Sequence, residues 1–195
     1  MQEITLELYD AAAWRAWLEK NHSNNVVVWL VLGKESSPKR GLTYQLALDE
    51  AICHGWIDSR TKGIDDLKHV VRFTQRRPGG RWSVTNLRKA QSLLEEHRVT
   101  PWGRATMPED LDAALSEAED RDASELEPPP ELRVRLEEEG LLEQFLDMAP
   151  SLKRSFNMWV SQAKAGPTRD KRAAEAVHRL RQGELLEHMT KWKPK

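Results

Sequence analysis

The sequence predicts an α+β protein in which a small, mostly antiparallel sheet covered by helices precedes a helical C-terminal domain. An unbroken apolar and largely β-branched run at residues 26–32 is typical of a strand covered on both faces. Two further strand patterns, at residues 56–60 and 68–74, flank a polar segment with a glycine and two aspartates, which indicates a hairpin. Beyond residue 130, apolar residues recur at helical spacing.

The first helix is predicted between Asp10 and Lys20. The Asp10 carboxylate can accept a hydrogen bond from the free amides of a first helical turn, so this residue is a suitable N-cap. Trp14, Trp17 and Leu18 then fall on one face at helical spacing. We expect that face to pack in the core.

The strand at residues 26–32 is predicted to lie at the centre of the sheet, with Trp29 buried. A second helix is expected to begin after Thr43, which can cap it. Gly55 is expected to end that helix in the left-handed conformation, which disfavours residues that carry a β-carbon. The predicted hairpin follows, and Ser83 can cap a third helix.

Composition shifts along the chain predict two domains and a linker. We expect an α+β domain at residues 1–120, a proline-rich acidic linker at residues 121–130, and a helical domain at residues 131–195. The linker ends in Glu127 followed by three prolines, which favours extended polyproline geometry. Three apolar stripes after the linker, at residues 132–145, 152–163 and 173–180, predict three short helices that bury each other or pack on the first domain.

The overall composition is that of an ordinary globular protein. A formal net charge of −1 points to no particular partner. The single cysteine, Cys53, excludes an intrachain disulfide, and the acidic, alternating first residues differ from a secretory signal. No apolar run approaches the roughly 20 residues that span a bilayer. These features predict a cytoplasmic protein that does not insert into membranes.

A candidate binding site lies between Cys53 and Ser83, where tryptophans and arginines are concentrated around Asp58. Planar guanidinium groups bind phosphate or carboxylate through paired hydrogen bonds, and tryptophan rings supply a flat apolar wall. We therefore expect a small anionic ligand. The predicted ligand-binding residues are Trp56, Asp58, Arg72, Arg76, Arg77, Arg81 and Trp82. The alternative is a solvated hairpin with core tryptophans and one structural ion pair to Asp58.

Four separated motifs carry a resemblance to a known family. They are Cys53-x-Gly55-Trp56-Ile57-Asp58, Arg72-Phe73-Thr74-x-Arg76-Arg77, Trp82-Ser83-x-x-Asn86 and Ala163-Lys164-x-x-x-Thr168-Arg169-x-Lys171-Arg172. Together they resemble the YdeI/OmpD-associated, or bacteriocin-protection, family over most of the chain, from the Trp17 helix to Gly183. The resemblance implies a binding or stress-protection protein with no established reaction.

An enzyme that uses Asp58 as general acid or base is the main alternative function. Cys53 and His54 make a poor nucleophile pair, because the C-terminal end of a helix raises the pKa of a thiol. The histidines are scattered without zinc-site spacing, and no glycine-rich phosphate loop occurs. We therefore predict no metal site and no cofactor.

Nucleic-acid binding is a third hypothesis, and it rests on basic residues near the C-terminal end. Their side chains can track a phosphate backbone if they align on one helix face, although such a run is more often a solvated face. The candidate residues are Lys164, Arg169, Lys171 and Arg172.

Overall fold

The computed structural model describes residues 2–34, 37 and 41–185. The chain divides into two compact units, Met1–Ala118 and Glu119–Lys195. In chain order the elements are β1 (Gln2–Glu7), α1 (Ala11–Lys20), β2 (Val26–Gly33), α2 (Tyr44–Cys53), β3 (Trp56–Gly63), β4 (Lys68–Gln75), α3 (Val84–Glu95), α4 (Pro101–Arg104), α5 (Leu111–Leu126), α6 (Pro130–Glu138), α7 (Leu142–Leu146), α8 (Pro150–Ser161) and α9 (Gly166–Arg181).

The strands form one mixed sheet in the order β1-β2-β4-β3. Strands β2, β4 and β3 pair antiparallel, as predicted, whereas β1 joins β2 in parallel. The α+β class is confirmed, and β2 lies inside the sheet. Strand β1 was not predicted, although its alternating residues Ile4 and Leu6 pack against the core while their neighbours face outward.

The core of the first unit lies on one face of this sheet, where Val28, Leu30 and Phe73 pack against Trp14 of α1. The prediction that Trp29 is buried is wrong. Strand alternation turns its side chain to the opposite face, where it stays partly exposed. On that face the indole Nε1 donates to Glu3 at 3.1 Å, and the Lys62 ammonium lies 4.4 Å from the ring centre. Charged neighbours therefore cover this tryptophan.

The three predicted helix caps are confirmed. Each side chain accepts a hydrogen bond from a backbone N–H in the first turn, at 2.7 Å for Asp10, 3.3 Å for Thr43 and 3.2 Å for Ser83. Gly55 has the predicted left-handed backbone, with φ of 76°. A β-carbon there would also lie 3.0 Å from the carbonyl oxygen of Trp102. This glycine directs the chain from α2 into β3.

The predicted linker at residues 121–130 begins within a helix, because α5 continues to Leu126. The sequence of α5 is rich in alanine, glutamate and leucine, which favour helix, and its Ala118 is buried. Pro129 stands directly before α6 and its φ of −60° suits that position. The acidic composition that suggested a spacer therefore belongs largely to an exposed helix surface.

The second unit has its own apolar cluster. It consists of Leu132, Leu136, Phe145, Phe156, Val160, Ala173, Ala176, Val177 and Leu180. These residues lie on the predicted stripes, but the first stripe is divided between α6 and α7 by Gly140, with φ of 66°. Asn157 of α8 donates to the carbonyl oxygens of Glu125 and Glu127, each at 2.9 Å. Residues 186–195 of the predicted helical domain lie outside the described residues.

Across the described ranges, none of the helices combines the length and the apolar composition that crossing a bilayer requires.

Candidate functional site

Arg76 is the most buried of the predicted arginines. It follows β4 directly, and its backbone N–H donates to the carbonyl oxygen of Gly55 at 2.8 Å. Its side chain is only 7% exposed. The guanidinium carbon lies 3.5 Å from the ring centre of Trp82, and Nη1 donates to the carbonyl oxygen of Arg81 at 3.1 Å. The indole ring and this carbonyl group hold the guanidinium in place.

The charge of Arg76 is incompletely compensated. Burial lowers the pKa of Arg76 to about 10, although the negative charge of Asp58 acts in the opposite direction. Among the residues that the structure describes, no carboxylate lies within ion-pair distance of this guanidinium, and its buried Nε has no hydrogen-bond partner. Burying a cation without a direct counter-ion is costly, so this position favours the approach of an anion.

Asp58 binds a tyrosine. The hydroxyl of Tyr44 in α2 donates to Asp58 Oδ2 at 2.9 Å. Burial and this hydrogen bond raise the pKa of Tyr44 to about 12, so the phenol stays protonated and remains a donor. Within the described chain, Asp58 forms no direct ion pair with an arginine, and the structural pair considered from the sequence is not formed.

The two predicted tryptophans do not form a common ligand wall. Trp56 is fully buried and packs edge-on against Trp17, with ring centres 5.6 Å apart. Its Nε1 has no hydrogen-bond partner in the described part of the chain, and Asp58 does not accept from it. Trp82 is 6% exposed and is covered by Arg76. Trp56 therefore presents no surface to a ligand, and Trp82 contributes by positioning the guanidinium.

The remaining predicted arginines lie at different positions around the hairpin. Arg72 stands opposite Trp29 in the register of β2 and β4, on the sheet face away from the core, and donates to Ser59 Oγ at 3.1 Å. Arg77 and Arg81 are exposed on the segment that follows β4. The structure thus brings together Arg76, Arg81 and Trp82, and it separates Arg72 from them.

A second charged cluster, which the sequence did not predict, surrounds Glu50 of α2. The carboxylate is 3% exposed and accepts from Arg15 Nε at 2.8 Å, Arg15 Nη2 at 2.6 Å and Arg98 Nη2 at 3.0 Å. A cavity of about 270 Å³ adjoins it. The cavity is lined by Arg15, Glu19, Glu50, His54, His97, Arg98 and Thr100. The one signal in the sequence is an acidic residue on the apolar face of α2, beside Ala47 and Ala51.

Burial raises the pKa of Glu50, but hydrogen bonds and positive charge from Arg15 and Arg98 outweigh it, and the net pKa is lowered. Glu50 is therefore ionised at neutral pH. Burial acts in the same direction on the neighbouring thiol, where it is the largest influence: it raises the pKa of Cys53 to about 11 and keeps that thiol protonated. This agrees with the expectation from the sequence that Cys53 and His54 make a poor nucleophile pair.

The ion pairs of Glu50 are expected to make stability depend on acid pH. A carboxylate whose pKa is lowered on folding stabilises the fold above its ordinary pKa and loses that contribution as pH falls through the folded value. Glu50→Gln should cost about 1–3 kcal/mol at pH 7, and the difference from wild type should shrink below about pH 4.5. Urea unfolding between pH 3 and pH 7 measures this. A difference that stays constant over this range would contradict it.

Two of the four predicted nucleic-acid contacts are used within the second unit. Arg169 Nε donates to Glu131 at 2.6 Å. Arg172 Nη1 donates to the carbonyl oxygen of Trp159 at 2.6 Å, with the guanidinium carbon 5.4 Å from that ring centre. Lys164 and Lys171 are exposed. The internal contacts of the arginines reduce the charge available to a phosphate backbone.

The fold and these contacts define a class: a mixed-sheet α+β unit with a buried arginine next to the start of β3, followed by a helical unit. The chain belongs to the family of the domain of unknown function DUF8412, whose model matches residues 6–106. Residues 125–183 match the model described as "Bacteriocin-protection, YdeI or OmpD-Associated". The predicted resemblance is confirmed for this second segment, which contains the fourth of the motifs. The other three motifs lie within the first match, at residues 6–106. Comparison with curated proteins and with solved structures gave no match.

Proposed function

We propose that the chain is a cytoplasmic binding protein of the YdeI/OmpD-associated, stress-protection type, and that its first unit binds a small phosphate- or carboxylate-bearing anion at Arg76. The observation that carries the proposal is the buried guanidinium, which has no carboxylate within ion-pair distance in the described residues. A single cysteine with a protonated, buried thiol is compatible with a reducing compartment.

The surroundings of Arg76 support an anion more than any other ligand. Exposed Arg77 and Arg81 add positive charge along the same segment, and the carboxylate of Asp58 already accepts from Tyr44. Charge-assisted hydrogen bonds from guanidinium to phosphate or carboxylate are short and strong, particularly where water is largely excluded. The backbone turn at Gly79, three residues after Arg76, has φ of 67° and open space beside its α-carbon.

Replacing Arg76 with methionine tests the proposal. Methionine keeps an apolar contact with Trp82 but removes the charge and all donors. Isothermal titration with inorganic phosphate, a nucleoside monophosphate and a dicarboxylate should show binding to the wild type that weakens at least about tenfold in Arg76→Met, as expected for lost charge-assisted bonds. Without ligand, the variant should melt at the same or a higher temperature, because an unpaired buried cation is removed.

Lys20→Met is the matched control, since it removes one exposed positive charge from the end of α1 in the same unit. Its affinity for the same anions should stay within about twofold of wild type, as expected for a distant and screened surface charge. Equal affinity of Arg76→Met and wild type, or no binding of any anion to the wild type, would refute the anion site.

A further inference from the structure

His54 presents an unpaired ring nitrogen at the cavity beside Glu50. The residue is 3% exposed, and its Nδ1 lies 2.8 Å from the carbonyl oxygen of Glu50. A carbonyl oxygen only accepts, so Nδ1 carries the proton and a neutral His54 has its lone pair on Nε2. Nε2 has no hydrogen-bond partner among the described residues, and the nearest carboxylate oxygen, Glu19 Oε1, is 3.8 Å away.

Two acceptors therefore lie side by side at the cavity wall when His54 is neutral. A neutral imidazole nitrogen and a carboxylate oxygen at 3.8 Å are both acceptors and cannot bond to each other, but a donor that lies to one side of the pair, within hydrogen-bond distance of each atom, can satisfy both. A positively charged donor suits this position best, because one of the two acceptors is the Glu19 carboxylate. The Glu19 side chain is half exposed, so a ligand in the cavity can reach it.

Two other groups at the cavity, Arg15 and Arg98, are donors with remaining capacity. Arg15 uses Nε and Nη2 for Glu50, and Arg98 uses Nη2 for Glu50 and Nη1 for Glu96. Within the part of the chain that the structure describes, Arg15 Nη1 and Arg98 Nε have no acceptor. These N–H groups suit a carboxylate, whereas the charges of Glu19 and Glu50 oppose a dianion.

We propose that this cavity binds a free α-amino acid. Its ammonium group donates to both His54 Nε2 and the Glu19 carboxylate, and its carboxylate accepts from the unused N–H groups of Arg15 and Arg98. The volume of about 270 Å³ is below the roughly 300–1,000 Å³ of sites for drug-sized molecules, and it suits a molecule of this size. The site shares no residue with the anion site at Arg76, so either can fail without the other.

Glycine and serine are the probes, and acetate and methylamine are the matched controls that carry one charged group each. The readout is the Nε2 resonance of His54 in ¹⁵N-labelled protein at pH 7.5. Serine or glycine should shift this resonance in a saturable way, and acetate and methylamine should each bind at least about tenfold more weakly. No saturable shift with any amino acid, or equal binding of acetate, would overturn the proposal.

Glu19→Gln separates the proposed contact from a structural effect, because Glu19 is exposed on α1 and its replacement leaves the core unchanged. This variant should bind serine at least about tenfold more weakly. Glu95→Gln, which makes the same change at an exposed position of α3 that does not line the cavity, should stay within about twofold of wild type. Unchanged serine binding by Glu19→Gln would also overturn the proposal.

Discussion

Replacing Trp56 with alanine is expected to lower the free energy of unfolding of the first unit by about 3–5 kcal/mol, the usual cost of deleting a buried large aromatic side chain. The indole is fully buried, and it packs edge-on against Trp17 in the main core. Trp102→Ala is the control, since this ring is 41% exposed and stacks on His22 at 3.9 Å. Its cost should be about 1 kcal/mol.

Urea denaturation of both variants measures the difference. Trp56→Phe should recover most of the loss, because Trp56 Nε1 has no acceptor among the described residues and phenylalanine removes that unsatisfied donor. Equal costs for Trp56→Ala and Trp102→Ala would show that the ring at position 56 is not a core residue.

Gly103→Ala is expected to destabilise the first unit by about 3 kcal/mol, the upper end of the usual cost of overpacking. A β-carbon at this position would lie 2.1 Å from the carbonyl oxygen of Cys53, at the end of α2. That oxygen also accepts from the backbone N–H of Thr100 at 3.0 Å and from its hydroxyl at 2.8 Å, so it cannot move freely. The clash involves backbone, which a rotamer change does not relieve.

Gly63→Ala is the matched control in the same unit, because a β-carbon there would meet nothing within 4 Å. Its effect on the thermal midpoint should be small, since open space leaves only the propensity difference of about 0.5–1 kcal/mol. A Gly103→Ala protein that melts within a degree of wild type would contradict the close packing of α4 against the end of α2.

The features that the sequence predicted correctly depend on one residue and its near neighbours. The caps at Asp10, Thr43 and Ser83 need only a side-chain oxygen before a helical pattern, and Gly55 needs only the absence of a β-carbon. The predicted burial of Trp29 failed because a β-branched run does not show which of its alternating residues face the core.

In the candidate site, too, the sequence predicted what depends on neighbouring residues and missed what depends on the tertiary fold. The motifs located Arg76 and Trp82, but their stacking depends on how the segment after β4 folds back, which spacing cannot give. In the Glu50 network, Arg15 lies 35 positions and Arg98 lies 48 positions away from Glu50 along the chain. An acidic residue on an apolar helix face indicates a buried partner of opposite charge. The sequence does not show which arginine that partner is, because this depends on how the helices pack.

The most direct test of the anion site is the Nε–H resonance of Arg76 in ¹⁵N-labelled protein during a titration with inorganic phosphate. This atom is buried and has no acceptor in the described residues, so a bound anion should change its environment more than that of any exposed arginine. The account predicts a saturable shift of this resonance, with Arg77 and Arg81 following at the same midpoint. Shifts at Arg77 and Arg81 with an unmoved Arg76 resonance would contradict it.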